Sequence, residues 1–355
     1  MKTYLFFAQD GVGGAERVMV TIANILADKG NNIRFILIRN KNSKSSSLST
    51  LIEGRFKYER IIWRGQVQLL KELYRGIQKN NPEVIFASAM HINQRLLLLK
   101  PFFSGCKFIV RNDNYLYTLS KLKRITLKYI YPKADAIIGQ TEEMGEELRR
   151  IGISSDKINV VRNPIDTDMI NEKLKAPSPF DSDDQSVKFI GCGRFSHQKG
   201  FDILVKAFSI VKQSIPGAKL YLLGNLEYGD GAVRKTVENI VKENNLNDSV
   251  ICTGHIDNPF KYIKHANVFV LSSRWEGLPN VLLESEYIGT PSAATKCIPV
   301  IERMIKEGEN GFLAESENPQ SLAEAMIKAV NIPHFNTTEG ENREEWEKLF
   351  EKVVG

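Results

Sequence analysis

The chain has 355 residues, 42% hydrophobic and 25% charged, with a formal net charge of +6. This length and apolar content allow two domains with a core each, and they exclude a disordered or fibrous protein. Residues 1–165 hold 27 Lys and Arg against 14 Asp and Glu, whereas residues 166–355 hold 21 against 28. The basic first half indicates an anionic partner (phospholipid headgroups, a phosphorylated substrate or nucleic acid) unless the excess is only solvated surface.

Cysteine usage and hydropathy indicate the compartment. The four cysteines show no paired spacing, which argues against a zinc cluster or a disulfide framework and favours a reducing cytoplasm; they are Cys106, Cys192, Cys252 and Cys297. The longest apolar candidate, Leu96–Phe103, is interrupted by Lys100 and Pro101, and Tyr4–Ala8 is too short for a signal sequence. We therefore expect a cytoplasmic protein without a signal peptide or a membrane span.

Short apolar segments rich in branched residues alternate with segments of helical periodicity, a pattern typical of βαβ units and parallel sheets. The predicted strands are Tyr4–Ala8, Ile33–Ile38, Val84–Ser88, Phe108–Val110, Ala136–Ile138, Ile158–Val161, Lys188–Gly191, Leu220–Leu223, Val250–Thr253 and Val268–Leu271. The predicted helices include Ala15–Lys29, Val67–Lys79, Thr141–Ile151, Phe201–Val211, Val233–Asn244 and Pro319–Val330. Two sets of strands predict an α/β protein with two doubly wound domains.

Composition sets the domain limits. We predict a first domain of residues 1–165 and a second of residues 187–333, joined by a polar linker, 166–186, that contains Pro177-Ser178-Pro179. The final segment, 339–354, predicts an amphipathic helix that packs on a finished domain. Its apolar residues at helical spacing are Trp346, Leu349, Phe350 and Val353.

The first strand leads into a glycine-rich loop, Asp10–Arg17, and then a helix. Gly13 and Gly14 let the backbone approach a ligand at a helix N-terminus that offers free N–H groups to an anion, although a tight turn alone would also need them. A dinucleotide site is the other alternative. It is disfavoured because Glu16 replaces the last glycine of the fingerprint and Arg39 ends the second strand where an acid would hold a ribose.

A second glycine-bounded loop follows the strand Lys188–Gly191. It places Arg194 and Lys199 five positions apart between Gly193 and Gly200, and these cations could converge on a diphosphate. The alternative is a solvated basic loop.

The segment from Ser272 to Glu284 follows the strand Val268–Leu271, so it lies at the carboxyl edge of a parallel sheet, where such folds bind ligands. Pro279 fits the first turn of a helix, which places Glu276 on the preceding loop and Glu284 inside the helix. Two carboxylates flanking a helix start suit a sugar–diphosphate–ribose ligand, whereas the alternative is two structural acids.

Metal and nucleic-acid sites are not expected. Asp166 with Asp168, and Asp181 with Asp183, have the spacing of metal ligands but lie in the linker region, and the five histidines form no ligand pair. The chain also lacks a recognised nucleic-acid-binding motif or a basic–aromatic platform.

These motifs, taken in order, resemble those of the retaining, nucleotide-sugar-dependent glycosyltransferases of family four. They are Gly13-Gly14-Ala15-Glu16-Arg17, Asn163-Pro164-Ile165-Asp166, Gly193-Arg194 with Lys199-Gly200, Glu276 with Glu284, and Asn310-Gly311-Phe312-Leu313. The first of them, with Ser88–Asn93 and Arg111–Asp113, is similar to a subgroup that carries G-G-A-E-R. The resemblance implies two Rossmann-like domains facing across a cleft (the GT-B arrangement), which close over the donor, and a final helix that crosses back to the first domain.

The resemblance also assigns roles. In that family the first glutamate contacts the donor sugar and the second the ribose, so these roles pass to Glu276 and Glu284. The implied catalytic residues are Glu276, Arg194, Lys199 and His91, although His91 could equally be packing. The implied donor-binding residues are Gly13, Gly14, Gly193, Arg194, Lys199, Gly224, His255, Ile256, Glu276, Gly277, Leu278, Pro279, Asn280 and Glu284. The implied acceptor-binding residues are Asn93, Arg111, Asn112 and Asp113. The chain departs from the pattern at Leu226, where a second glycine is usual, and in the loop 296–303.

The resemblance implies metal-independent, retaining transfer of a hexose from a nucleoside-diphosphate sugar, a UDP-sugar being favoured, without a cofactor. The acceptor is expected to be a saccharide, linked to a polyprenyl diphosphate, in cell-envelope glycan biosynthesis. An inactive nucleotide-sugar-binding subunit is the alternative, and a dinucleotide-dependent oxidoreductase is disfavoured by the arguments above.

Basic and apolar residues are interleaved near residue 125. This composition predicts peripheral binding to the anionic inner face of the cell membrane, with packing against the first sheet as the alternative for the apolar members. The cations are Lys121, Lys123, Arg124, Lys128 and Lys133, and the apolar residues are Leu122, Ile125, Leu127, Tyr129, Ile130 and Tyr131.

Overall fold

A computed structural model describes residues 1–40, 47–224, 231–337 and 342–355 of the chain. It divides into two compact units. The first consists of residues 1–165 and 342–355, and the second of residues 166–341. Each unit is built on its own parallel β-sheet with helices on both faces.

The sheet of the first unit has seven strands in the order β3-β2-β1-β4-β5-β6-β7. These are β1 (Thr3–Gln9), β2 (Asn32–Asn40), β3 (Lys57–Trp63), β4 (Val84–Ala87), β5 (Lys107–Asn112), β6 (Ala136–Gly139) and β7 (Ile158–Val160). The helices are α1 (Gly14–Asp28), α2 (Ser49–Ile52), α3 (Gln66–Asn80), α4 (Met90–Leu99), α5 (Lys121–Ile130) and α6 (Glu142–Arg150). Short 3₁₀ turns cover Lys100–Phe102, Leu116–Thr118, Tyr131–Lys133 and Ser155–Lys157.

The central strands of this sheet are apolar on both sides because helices cover both faces. On one face, Phe6 of β1 lies in register with Phe35 of β2 and Phe86 of β4, with ring centroids 5.1 and 5.0 Å away. On the other face, Leu5 and Phe7 belong to a separate core. The strand order reverses at β1, so the carboxyl ends of β1 and β4 flank the crevice where doubly wound sheets bind ligands.

The sheet of the second unit has six strands in the order β10-β9-β8-β11-β12-β13. These are β8 (Lys188–Cys192), β9 (Lys219–Leu223), β10 (Val250–Gly254), β11 (Val268–Leu271), β12 (Ser292–Thr295) and β13 (Gly311–Ala314). The helices are α7 (Thr167–Lys173), α8 (Phe201–Ser214), α9 (Gly231–Glu243), α10 (Phe260–His265), α11 (Asn280–Ile288), α12 (Pro299–Met304) and α13 (Pro319–Ala329), with a 3₁₀ turn at His197–Lys199. Here the order reverses at β8, so its switch point lies between β8 and β11.

The two parallel sheets confirm the predicted pair of doubly wound, Rossmann-like domains. The last helix, α14 (Arg343–Val354), forms as the amphipathic pattern of 339–354 predicts, and it belongs to the first unit, as the family resemblance implies; residues 339–341 lie outside the described part of the chain. The ring of Trp346 is completely buried, and its Nε1 donates to the carbonyl of Arg162 at 2.9 Å. This bond ties the helix to the end of the first unit's sheet.

The segment 166–186, predicted as a linker, belongs to the second unit and starts with α7. Asp166 caps this helix by accepting from the N–H of Met169 at 2.9 Å. Further along, the ring of Phe180 packs 4.9 Å from that of Tyr221, and Asp184 pairs with Lys219 at 3.0 Å. The polar composition of 166–186 therefore indicates a surface segment of the second unit and not a free linker.

The longest helices have 15 residues. Among the described residues, no helix combines the length and the apolar content that crossing a bilayer requires.

Candidate functional site

The loops that follow β8 and β11 meet at the switch point of the second sheet and bring Lys199 to Glu276. The Lys199 ammonium lies 2.6 Å from Oε1 of Glu276, and both side chains are largely shielded from water. The sequence predicts each of these residues at a ligand site, but it does not predict that they pair. The structure thus joins the predicted diphosphate-binding loop to the predicted sugar-binding loop.

The Glu276 carboxylate is held by three donors and is only 7% exposed. Besides Lys199, the hydroxyl of Ser273 donates to Oε1 at 2.6 Å, and the amide of Gln198 donates to Oε2 at 3.4 Å. Oε1 is therefore satisfied within the protein, whereas Oε2 keeps acceptor capacity. This arrangement fixes the orientation of the carboxylate and leaves Oε2 as the oxygen that a further donor can reach.

The two loops are held together by hydrogen bonds that side chains of the second loop make to the first loop and to α8. Arg274 clamps Asp202 of α8 with two bonds of 2.9 and 2.7 Å, and it also donates to the carbonyl of His197 at 2.8 Å. The hydroxyl of Ser272 donates to the carbonyl of Lys199 at 2.9 Å. Bidentate arginine–carboxylate pairs have strict geometry, so this clamp keeps the Lys199–Glu276 pair in place.

Two glycines are required for this close packing. Gly200 has φ +63°, and a Cβ there would lie 2.1 Å from the carbonyl oxygen of Ser272. A Cβ at Gly224 would lie 1.9 Å from the carbonyl oxygen of Gly193. Gly224 is thus explained by the packing of one loop on another, and its contact with a nucleotide stays a prediction. Leu226, the departure noted beside it, lies outside the described residues.

Arg194 occupies the same loop as Lys199 but is exposed. Its guanidinium makes no hydrogen bond or ion pair with the described part of the chain, so its donors are available to an anion. Gly193, just before it, donates its N–H to the carbonyl of Leu223 at 2.9 Å, which fixes the start of the loop against β9.

The helix after Glu276 forms as predicted. Pro279 stands immediately before α11, which places Glu276 on the loop with Gly277 and Leu278, and Glu284 within the helix that Asn280 begins. His255 and Ile256 follow β10, and the ring of His255 lies 3.3 Å from Asp257 at the surface. All of these positions lie on connections at the carboxyl ends of strands or at the helix start beyond them, which is the ligand-binding edge.

The divergent loop 296–303 contributes Cys297 to this neighbourhood. Burial, together with the negative charge of Glu276, raises the pKa of this thiol to about 12. Cys297 is therefore protonated at neutral pH and is a poor nucleophile. The rest of the loop enters α12 at Pro299, while Lys296 pairs with Glu315 at 2.8 Å. Among the described residues, no three His, Cys, Asp or Glu side chains gather as metal ligands.

In the first unit the glycine loop and His91 lie at the same switch point. Gly13 precedes α1 in an extended conformation, Gly14 begins the helix, and a Cβ at Gly13 would lie 2.6 Å from the carboxylate of Glu16. The ring of His91 on α4 contacts the side chain of Gln9, at the end of β1, at 3.3 Å. The structure therefore places the predicted glycine loop and the catalytic candidate His91 at the same edge of the first sheet.

Arg111, Asn93 and Asn112 lie beneath this edge and are almost completely buried. Arg111 donates to the hydroxyl of Ser88 and to Oδ1 of Asn163, both at 2.6 Å. Asn93 donates to the carbonyl of Arg111 at 3.0 Å. These bonds link the ends of neighbouring strands, so the geometry gives the residues a positioning role, whereas direct contact with an acceptor stays a prediction.

Asp113 follows this network on the surface side and is partly exposed. Burial raises the pKa of its carboxyl group, and the positive charge of Arg111 partly opposes that rise. Of the four predicted acceptor residues, it is the one whose side chain reaches water.

Asp10 is a buried polar residue for which sequence reasoning gave no role. It accepts from the N–H of Leu48 at 2.9 Å, from Arg60 at 2.9 Å and from Arg39 at 3.4 Å. The cation at position 39 that disfavours a dinucleotide site therefore also has a structural partner. An acid that opens a glycine loop, with two arginines on the next strands, is the signal that could have revealed this cluster.

His91 yields a prediction about pH. Burial, with a smaller contribution from the nearby Arg95 charge, lowers the pKa of His91 below 6.5. The folded chain thus binds this proton more weakly than the unfolded chain. The stability that depends on neutral His91 is fully present above the pKa of this residue in the unfolded chain. It is lost as the pH falls through the lower pKa that His91 has in the folded chain. NMR titration of the ring, assigned with His91→Gln, should give a midpoint below 6.5, and a midpoint at or above 6.5 would contradict the burial.

Two family models match the chain. The model "Glycosyltransferase Family 4" matches residues 12–169, and "Glycosyl transferases group 1" matches residues 172–348. Together they cover nearly the whole sequence, with their boundary close to the division between the units. The chain belongs to the family-four type of glycosyltransferases.

Relatives with full-length or partial similarity agree with this assignment. An uncharacterized glycosyltransferase of Methanocaldococcus jannaschii is 32% identical over 65% of this chain and 60% of its own length. N-acetylgalactosamine-N,N'-diacetylbacillosaminyl-diphospho-undecaprenol 4-alpha-N-acetylgalactosaminyltransferase of Campylobacter jejuni is 24% identical over 99% of this chain and 96% of its own. Among solved structures, Anabaena HepE in complex with UDP-glucose has a TM-score of 0.82 at 19% identity and covers 100% of this chain and 99% of its own. This likeness confirms the fold.

Proposed function

We propose that the protein transfers a hexose from a nucleoside-diphosphate sugar, a UDP-sugar being favoured, to a saccharide, with retention of anomeric configuration and without a metal ion. The observation that carries the proposal is the paired Lys199 and Glu276 at the switch point of the second sheet. Arg194 adds a second cation on the same loop. A UDP-glucose complex of a protein with this fold supports the choice of donor.

The proposed chemistry needs charge stabilisation rather than an enzyme nucleophile. As the bond from the anomeric carbon to the leaving phosphate breaks, Arg194, Lys199 and the start of α11 stabilise the negative charge on the diphosphate. The acceptor hydroxyl oxygen bonds to the anomeric carbon on the face that the phosphate leaves, and its proton passes to the leaving phosphate, while Glu276 holds the sugar in place. Cys297, a half-buried thiol whose pKa is raised by burial and by the charge of Glu276, stays protonated at neutral pH, so we give it no role as a nucleophile.

A lipid-linked saccharide in cell-envelope glycan biosynthesis is the proposed acceptor. The Campylobacter jejuni relative carries an undecaprenyl diphosphate substrate in its name. In the first unit, His91 and Asp113 lie at the sheet edge, with Asn93, Arg111 and Asn112 holding the strand ends below them. We assign acceptor binding to this edge.

The experiment is a donor panel. Purified protein is mixed with UDP- and GDP-hexoses, and both thermal shift and release of free nucleoside diphosphate are measured with and without a lipid extract that contains polyprenyl-linked saccharides. The proposal predicts a shift with one donor class and diphosphate release that requires the extract. Binding without release under any condition would favour an inactive binding subunit, and a shift with NADH or NADPH alone would favour an oxidoreductase.

Helix α5 supports peripheral association with the inner face of the cell membrane, which we also propose. Its residues Leu122, Ile125 and Tyr129 share one face and are 72%, 46% and 70% exposed. Leu127 on the opposite side is buried, and Thr126 at the margin of this face accepts a bond from Gln94 of α4 at 3.3 Å, so the helix is held against the unit. An apolar stripe beside exposed lysines suits an anionic bilayer, in which each nearby cation contributes about 1 kcal/mol.

Liposome flotation tests this surface. We expect the protein to float with vesicles that contain phosphatidylglycerol at low salt, and less so at high salt, because salt screens the cations. Leu122→Gln combined with Tyr129→Gln should abolish flotation. Val67→Gln is the matched control, since Val67 is 82% exposed on α3 of the same unit. Flotation of the double variant equal to that of the control would contradict this role of α5.

A further inference from the structure

Trp275 differs from the other large apolar side chains of the second unit because its ring faces water. Within residues 166–224 and 231–337, it is the one large hydrophobic side chain that is exposed, at 39%. The other large exposed apolar residues of the described chain all belong to the first unit. Trp275 stands between Arg274 and Glu276 in the chain, so this exposed ring belongs to the loop that carries the carboxylate of the candidate site.

The backbone that carries this ring is fixed. The carbonyl of Trp275 accepts from Gln198 at 3.0 Å, and the preceding residue, Arg274, is clamped by Asp202. Within the part of the chain that the structure describes, the indole has one aromatic neighbour, the imidazole of His197, with ring centroids 5.8 Å apart and planes tilted by 57°. Because both rings rise from loops that are bonded together, they form a paired aromatic surface on the two loops that also carry Lys199 and Glu276.

A sugar ring presents two kinds of surface, hydroxyl groups at its edge and C–H groups on its apolar face. Glu276 offers an acceptor for the hydroxyls, and the adjacent indole offers a large, rigid apolar surface for the C–H face. Trp275 keeps 39% of its surface exposed on a loop at the ligand-binding edge of the sheet, so part of the indole is open to a ligand there.

We propose that Trp275, supported by His197, is a stacking surface for a pyranose ring and contributes to sugar specificity. This inference rests on the proposed transferase function. The pyranose is either the hexose of the donor or the terminal sugar of the acceptor. Both present the same kind of apolar C–H face, and the two arms of the experiment distinguish them.

The donor arm measures dissociation constants by calorimetry for the nucleotide sugar that binds best in a UDP- and GDP-hexose panel, and for the matching nucleoside diphosphate without sugar. If the donor hexose stacks, Trp275→Ala should weaken the nucleotide sugar about three- to ten-fold and leave the sugar-free diphosphate unchanged. Trp275→Phe, which keeps an aromatic face, should restore most of the affinity. Trp63→Phe in the first unit is the matched control and should change neither constant.

The acceptor arm measures KM for a polyprenyl-diphosphate-linked saccharide. If the acceptor sugar stacks, Trp275→Ala should raise this KM by the same factor, with unchanged donor affinity and with rescue by Trp275→Phe. If Trp275→Ala keeps the donor affinity and the acceptor KM of the unchanged protein, the inference is overturned, whereas the transferase function stands. An unchanged protein that binds no nucleotide sugar at all would overturn both.

Discussion

Replacement of Lys199 by alanine is expected to lower kcat by about 10²–10³-fold. The Lys199 ammonium lies within the shielded end of the site, 2.6 Å from Glu276, where a positive charge stabilises a developing diphosphate far more than it would in bulk water. The variant also leaves the Glu276 carboxylate without its ion-pair partner, which we expect to destabilise the protein by up to about 3 kcal/mol. Steady-state kinetics and urea unfolding, measured on the same preparation, separate the two effects.

Arg194→Ala provides the comparison that does not depend on stability. Because Arg194 is exposed, its loss should leave the unfolding midpoint unchanged while it lowers kcat by orders of magnitude. Lys206→Ala, which removes an exposed cation from α8 in the same unit, is the matched control. Turnover in both site variants equal to that of the control would refute the proposed role of these cations.

Glu276→Gln is expected to lower kcat/KM by about ten- to a hundred-fold, the loss typical when a charged hydrogen-bond acceptor is replaced by a neutral one. The side chain keeps its size, but it no longer carries the charge that attracts Lys199. It also has one acceptor oxygen fewer, since an NH₂ group replaces one of the two carboxylate oxygens. Since the carboxylate is proposed to contact the sugar, the affinity for the nucleotide sugar should fall while that for the sugar-free diphosphate is retained.

The control for this substitution is Glu243→Gln, which changes an exposed acid near the end of α9. If the amide oxygen introduced by Glu276→Gln accepts the bonds that Ser273 and Lys199 donate to the carboxylate, Glu276→Gln and Glu243→Gln should unfold at similar urea concentrations. If it does not, Glu276→Gln should unfold at a lower concentration. Equal weakening of the sugar-free diphosphate and the nucleotide sugar would mean that Glu276 acts on the phosphates instead.

The fold could be predicted to a large extent because buried parallel strands have a strong apolar signature. All ten predicted strands exist, whereas β3, β12 and β13 were not predicted. Strand β3 lies at an edge of its sheet and has three charged residues among its first four, and β12 is composed of small residues, Ser292–Thr295. Neither pattern resembles a branched apolar run, since an edge strand keeps one side in water and a tightly packed strand needs little side-chain volume.

The candidate site could be predicted as positions but not as an arrangement. The loop position of Glu276 and the helical position of Glu284 follow from Pro279, a local signal. The pairing of Lys199 with Glu276 joins residues that are 77 positions apart, and the support from Ser273, Gln198 and Asp202 depends on how two loops meet. Such contacts arise from the strand order of the sheet, which one sequence does not reveal.

The most direct test of the proposed function is NMR assignment of the anomeric configuration of the product formed from the preferred nucleoside-diphosphate hexose and a polyprenyl-diphosphate-linked saccharide, in the presence of EDTA. Retaining, metal-independent transfer predicts a new glycosidic bond with the same configuration as the donor, formed at the same rate with and without the chelator. A product of opposite configuration, a reaction abolished by EDTA and restored by a divalent metal ion, or no transfer with any donor would contradict it.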